Sequence, residues 1–223
     1  MADDSFIREV NEELRSEQMK SIWRRFGPIL MGGAVALVLG TAGMVGYQHW
    51  SDSRASASGD KFLAALDLAA EGKNDEALAA LDDLEKTGYG SYPVLARLRA
   101  AAVLAEKGDA AAAVAAFDKV AADNGVPSQL RDVARLRAAY LLVDSGSYED
   151  VASRVETLSA DGHPMRGSAR EALGLAAWKA GRFDDAFKLF DQLANDNLVP
   201  ANIRQRANTM LDLMRGAGVA AQG

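Results

Sequence analysis

The sequence predicts an all-α protein: one N-terminal transmembrane helix, then an α-solenoid of about four helical hairpins and a C-terminal capping helix. Three observations predict this class. An uncharged apolar stretch near the N-terminus is long enough to cross a bilayer, four glycines recur at spacings of 36, 38 and 35 residues between helical patterns, and no β-type alternation interrupts the series. The chain then divides into a cytoplasmic amphipathic tail at 1–25, a transmembrane helix at 26–50, a linker at 51–59, a helical repeat domain at 60–216 and a disordered tail at 217–223.

The tail carries Ile7, Val10 and Leu14, then Met19, Ile22, Trp23 and Phe26, at three- and four-residue intervals, the mark of an amphipathic helix. Such a helix either docks on a cytoplasmic partner or lies among lipid headgroups, and its acidic residues weigh against the second. Phe26 to Ser51 holds no charged side chain. At ~1.5 Å per residue, Phe26 to Tyr47 spans roughly 32 Å, close to the ~30 Å hydrocarbon core of a bilayer. Trp23 on one side, and Tyr47 with Trp50 on the other, stand where amphipathic rings prefer the headgroup level. Arg8, Arg15, Lys20, Arg24 and Arg25 precede the stretch and only Arg54 and Lys61 follow it closely, so the positive-inside rule puts the N-terminus in the cytoplasm and the repeats outside. A cleaved signal peptide ending at Ala55-Ser56-Ala57 is the rival reading, but the preceding 25 residues hold six acidic side chains and the apolar stretch is too long for one. Gly32, Ala36 and Gly40 fall on one helix face and offer a transmembrane helix contact, unless they are only the ordinary glycine and alanine of membrane helices. Pro28 suits a helix start, where its missing N–H would lack a partner anyway.

Ser51 to Gly59 is small and polar, a natural joint. Beyond it, Gly72, Gly108, Gly146 and Gly181 each fit the left-handed position that ends a helix, and Asn74, Asp109, Ser147 and Asp184 can help to begin the next. Ser147-x-x-Asp150 is a capping box with Asp in place of Glu. Five residues after the glycines stand Ala77, Ala113, Val151 and Ala186, and four further on Leu81, Phe117, Val155 and Phe190. A small and then a large side chain one turn apart is what two closely approaching helices need. Pro93, Pro127, Pro164 and Pro200 close the pairs, and Asn202 to Arg215, with Ile203, Met210, Leu211 and Met214, reads as the cap. Leu173-Gly174, Gly181, Ala186, Phe190 and Pro200 resemble the tetratricopeptide (TPR) pattern of Leu-Gly, turn Gly, Ala, Phe and Pro, so the array is TPR-like.

The composition excludes several functions. The net charge of −6, with no basic cluster in the repeats, argues against nucleic acid, and the absence of cysteine removes thiol chemistry, disulfides and sulfur-ligated metals. His49 and His163 are the only histidines, no nucleotide or nucleophile-elbow motif is present, and Asp82-Asp83 and Asp184-Asp185 sit at helix starts or exposed turns. No enzyme, metal, cofactor or small-molecule substrate is expected. Lys61, Arg97, Arg135 and Arg170 share one register position, with stems expected on the preceding hairpin and heads on second-helix acids such as Asp82, Asp118 or Glu156. The TPR resemblance implies that the first helix of each hairpin lines the concave side. On that register Leu66, Leu98, Ala102, Leu136, Tyr140, Val143, Leu175 and Trp178 form a partner-binding groove with Tyr140 and Trp178 as anchors, or else pack internally.

Trp23-Arg24-Arg25, the span ending Gly46-Tyr47-Gln48-His49-Trp50, Tyr92-x-x-Leu95-Ala96-x-Leu98 and Leu136-Arg137 together resemble the bacterial ancillary SecYEG translocon subunit family, the YfgM-like proteins. That resemblance implies a protein of the cell inner membrane with its repeats in the periplasm. Its partners would be translocon subunits and a periplasmic chaperone or folding factor, and its role in protein translocation would be to pass exported proteins to chaperones. The alternative is a TPR scaffold for cell-envelope assembly or division.

Overall fold

The computed structural model describes residues 3–219, with side chains from Met19 onward except those of Ser21, Ile22, Ile29 and Ala34. The stripe formed by Ile7, Val10, Leu14 and Ile22 therefore lies outside the described side chains. The described residues form nine α-helices and one 3₁₀ turn, with no strand, and the chain divides into two units, Met1–Ser56 and Ala57–Gly223.

Helix α1, Asp3–Ala70, supplies the first unit. It carries one stretch long and apolar enough to cross a membrane, with mean hydropathy 1.9. Leu30, Met31, Leu37, Val38, Leu39 and Met44 are all exposed, the reverse of a soluble core helix. Near its end Trp50 sits 6.1 Å from the Tyr47 ring, and the Arg54 guanidinium lies 4.6 Å over the Trp50 ring. Two expectations are corrected here. Pro28 lies inside α1 and not at a helix start, because the helical pattern upstream runs into the apolar stretch without a break; the Arg24 carbonyl accordingly loses its usual N–H partner. The polar stretch 51–59, expected as a joint, does hold the boundary between the two units, but it is helical and not a linker: it contains no proline, and its Ser and Ala residues do not force the chain out of a helix already under way.

In the second unit, the end of α1 packs on α2 (Asn74–Thr87). Then follow α3 (Tyr92–Glu106), α4 (Ala110–Ala122), α5 (Ser128–Ser145), α6 (Tyr148–Val155) with the 3₁₀ turn Glu156–Ser159, α7 (Arg166–Lys179), α8 (Phe183–Asn195) and α9 (Ala201–Gly216). At Gly72, Gly108 and Gly181 φ is 78°, 92° and 73°. The following N–H groups donate back to Leu68, Leu104 and Ala177 carbonyls, the six-to-one bond that closes a Schellman turn. Gly146 departs from the expectation, with φ −95° and ψ −179°. Its N–H still bonds to the Leu142 carbonyl at 2.7 Å, and the next residue is already the N-cap of α6, so the chain leaves extended instead of turning left-handed. A Cβ there would lie 3.0 Å from Leu142 Cδ2, so crowding disfavours a side chain at this position. The capping box at Ser147 and Asp150 is formed in both directions, and Asp109 accepts from the Ala112 N–H. Pro93 opens α3, while Pro127 and Pro200 are the N-caps of α5 and α9.

The small-then-large positions form the core. Ala77, Ala113, Val151 and Ala186 are fully buried, and Leu81, Phe117, Val155 and Phe190 are at most 3% exposed. The α7–α8 crossing is close at Gly174, where a Cβ would stand 2.9 Å from Phe190 Cζ. Asp123-Asn124-Gly125-Val126-Pro127 recurs as Asp196-Asn197-Leu198-Val199-Pro200, and each Asp accepts from the N–H two residues on, at 2.9 Å. Helices α5 and α9 follow these segments, starting 73 residues apart at 128 and 201. α9 is thus built as a further first helix. Where α5 offers Leu136, Ala139, Leu142 and Val143 to the cluster with α6, α9 has Thr209, Asp212, Arg215 and Gly216, all of them exposed. That exchange makes α9 a cap, with Ile203, Ala207, Leu211 and Met214 buried beneath it. Of the tail expected to be disordered, residues 217–219 instead complete a Schellman turn at Gly218, and Val219 packs on the C-terminal core, because its side chain is apolar and the turn aims it inward. Residues 220–223 lie outside the described residues.

Candidate protein-interaction face

The first helices α3, α5, α7 and α9 carry two cavities that share one wall, Tyr140. A cavity of about 270 Å³ is lined by Ala102, Ala105, Phe117, Arg137, Tyr140 and Leu141, with Glu106 at its edge. A second of about 560 Å³ is lined by Tyr140, Glu171, Leu175, Phe190, Arg206 and Met210, with Thr209 beside them. Their walls are mainly apolar with a few convergent polar groups, the usual constitution of a binding cleft.

Tyr140 is fixed in place. Its hydroxyl donates to Glu171 Oε2 at 2.8 Å and lies 3.2 Å from the Ser168 carbonyl oxygen. Burial, and then the neighbouring Glu171 carboxylate, push its pKa above the usual tyrosine range, so it stays a neutral donor. Glu171 is only 5% exposed. Arg206 of α9 donates to both of its oxygens, Nε at 2.5 Å and Nη2 at 2.8 Å, and these hydrogen bonds raise the Arg206 pKa. Sequence reasoning missed this buried carboxylate. The signal was present: Glu171, Leu175 and Trp178 are spaced i, i+4, i+7, so a carboxylate stands in line with two residues assigned to the groove.

The assigned groove residues are all half-buried. The structure brings Tyr140 and Leu175 together in the larger cavity, and Ala102 and Tyr140 in the smaller. Leu98 packs on the cluster containing Phe117, and Leu136 and Val143 on that containing Val151 and Val155. Trp178 packs on the C-terminal cluster with its ring 5.0 Å from Phe183, so much of its surface is used internally. Leu66 lines neither cavity. In the other unit, Gly32 and Gly40 have no side chain within 4 Å of where a Cβ would be, and the face they share with Ala36 is exposed.

The cationic row is partly corrected. Lys61 pairs with Asp83 at 2.9 Å, Arg97 with Asp123 at 2.7 Å, Arg135 with Asp132 three residues earlier at 3.0 Å, and Arg170 with Asp161 at 2.5 Å. Asp82 is taken by Lys86 and Asp118 by Arg154. Each long side chain reaches the acid closest to its own helix end or face; for Arg97 and Arg170 that acid lies beyond the second helix, while Arg97 Nε also stands 3.8 Å from Glu85 of α2, a second-helix acid of the kind expected. Arg166, outside the expected row, makes a two-point pair with Asp196 at 2.9 and 3.1 Å.

His163 is a loop residue whose Nδ1 accepts from the Met165 N–H at 3.1 Å and whose Nε2 faces Asp132 at 3.5 Å. Among the described residues no group of three or more His, Asp or Glu side chains could hold a metal ion.

No curated protein matches the chain. A family model for the tetratricopeptide repeat-like domain matches residues 20–212. That match runs over most of the chain and takes in the turn glycines, the small-and-large pairs and the four prolines, and its members are non-catalytic protein-interaction scaffolds; the chain belongs to the tetratricopeptide repeat-like domain family.

Proposed function

We propose that this protein is a membrane-anchored interaction subunit whose first-helix face holds extended, apolar segments of partner proteins. The supporting observation is the pair of apolar cavities on either side of Tyr140, on the face that carries Leu98, Leu136, Val143, Leu175 and Trp178. We read the array as four hairpins with a cap, Leu66 belonging to the first. On this reading residues 26–50 cross the bacterial inner membrane with the N-terminus cytoplasmic and the repeats periplasmic. The exposed apolar surface of α1, with Trp23 and Trp50 at its ends, supports that anchorage, and Gly32, Ala36 and Gly40 form a contact for another membrane helix. The role is ancillary to the SecYEG translocon, linking exported proteins to a periplasmic chaperone or folding factor. The test is purification of the full chain in mild detergent followed by mass spectrometry. Translocon subunits should co-purify with the native protein and be lost, together with exported proteins, from a Tyr140→Ala variant that still folds. Recovery of cell-wall assembly or division proteins in their place would replace this role with a scaffolding one.

A further inference from the structure

We infer that the interaction face selects segments that place two apolar side chains on either side of Tyr140 and a carboxylate against Arg137. This rests on the groove reading above and adds a charge preference to it.

Tyr140 is a fixed ridge, since its hydroxyl is held by Glu171 and Ser168, and a chain crossing it meets a cavity on each side. The smaller, at about 270 Å³, falls below the usual volume of a small-molecule site and suits a single side chain. In an extended segment, side chains on one face recur at every second residue, ~7 Å apart, so one strand can fill both cavities.

The charges around the cavities are unequal in their partners. Arg99 holds Glu106 through two bonds of 3.0 and 3.2 Å, and Arg206 holds Glu171 in the same manner. Both carboxylates at the rim are thereby matched within the protein. Arg137 is exposed at the rim of the smaller cavity and makes no ion pair among the described residues. It stands three residues before Tyr140, on the same face of α5. The face therefore presents one unmatched positive charge beside an apolar cavity, in a protein whose overall charge is −6. A ligand carboxylate next to its apolar residue complements that charge, and a lysine there meets repulsion.

The experiment uses the full chain in nanodiscs of zwitterionic lipid and fluorescence polarisation with blocked, labelled heptapeptides. Each peptide has two apolar residues separated by one serine, then a further serine and an aspartate, asparagine or lysine, so that the two apolar side chains and the tested one share a face of the extended segment. Aspartate peptides should bind about threefold to fivefold more tightly than asparagine peptides, the range of a solvent-exposed ion pair, with lysine peptides weakest. Arg137→Glu should reverse that order without moving the thermal midpoint, while Tyr140→Ala weakens all three classes alike. Equal affinity for the three peptides, or an order that Arg137→Glu leaves unaltered, overturns the charge inference and leaves the groove standing. Failure of every peptide to bind better than an all-serine control overturns the groove and this inference together.

Discussion

Arg206→Ala gives the sharpest test of how α9 is held. Among the described residues the substitution removes the only cation that meets Glu171, a carboxylate 5% exposed, and leaves it with the Tyr140 hydroxyl alone. Stripping the partner from a fully buried ion pair costs about 3–5 kcal/mol, because the remaining charge is left uncompensated. The Arg206 side chain is itself 54% exposed, so water already screens the pair and can partly replace the lost donor. The expected loss is therefore smaller, about 2 kcal/mol, still above the 0–1 kcal/mol of a surface pair. With a urea slope of about 2 kcal/mol per molar, the unfolding midpoint should fall by about 1 M, read as loss of far-ultraviolet circular dichroism from the detergent-solubilised chain. The control is the double-mutant cycle with Glu171→Gln. Once the carboxylate is neutral, Arg206→Ala should cost only a few tenths of a kcal/mol, the coupling between the two residues carrying the remainder. If Arg206→Ala moves the midpoint by less than about 0.3 M, or costs as much beside Gln as beside Glu, then Glu171 is not what fixes the cap.

Three further outcomes follow from other contacts. Gly174→Ala should lower the melting midpoint by a few degrees, since overpacking against Phe190, at about 1–3 kcal/mol, outweighs the ~1 kcal/mol gain in helix propensity; Phe190→Leu in the same chain should recover part of the loss. Gly108→Ala should cost about 1 kcal/mol because φ there is 92°, whereas at Gly146, where φ is −95°, any loss reflects only the crowding against Leu142, so in a Leu142→Ala background the cost of Gly146→Ala should shrink and that of Gly108→Ala should not, read as urea midpoints. The hydrogen bonds from Arg97 and Arg166, and then the N–H groups of Gly125 and Leu198, hold Asp123 and Asp196 below the ordinary carboxylate range. Their contribution is complete above the unfolded value of about 4 and is lost as pH falls through the lower folded values, so the Asp123→Asn, Asp196→Asn double variant should show a flatter acid limb in thermal melts than the native chain.

Most of the helical pairing was legible because it rests on local chemistry that a sequence displays. A left-handed turn needs glycine, as at Gly72, Gly108 and Gly181, and a close crossing needs a small side chain one turn before a large one, as at Ala186 and Phe190. Gly146 misled because glycine serves two purposes: at this position it relieves contact with Leu142 and has no left-handed turn to make. The polar stretch 51–59 misled because small polar residues tolerate a helix as readily as a loop, and the choice falls to the helical residues on either side. The ion pairs were only half legible. A periodic arginine row is visible in the sequence, but which acid each head reaches depends on where the second helix ends, and Asp123 and Asp196 each stand one residue beyond it.

Half of the buried apolar residues among those described are alanines. Alanine lets helices approach closely and costs no side-chain entropy, but smooth alanine faces specify register poorly, since a slide of one turn replaces one alanine with another. Register therefore has to come from elsewhere, and the structure supplies it at two levels. Phe190 enters against the bare Cα of Gly174, a position that a slide of one turn would replace with a long side chain, Arg170 or Trp178. Arg97 with Asp123, and Arg166 with Asp196, tie the N-terminal halves of α3 and α7 to the segments that close the following helices. The same economy shapes the interaction face. Ala102 and Ala105 leave space above α3 that larger residues would fill, so the smaller cavity beside Tyr140 is a by-product of close helix packing, and Tyr140 and Arg137 convert that space from a packing gap into a surface with a shape and a sign.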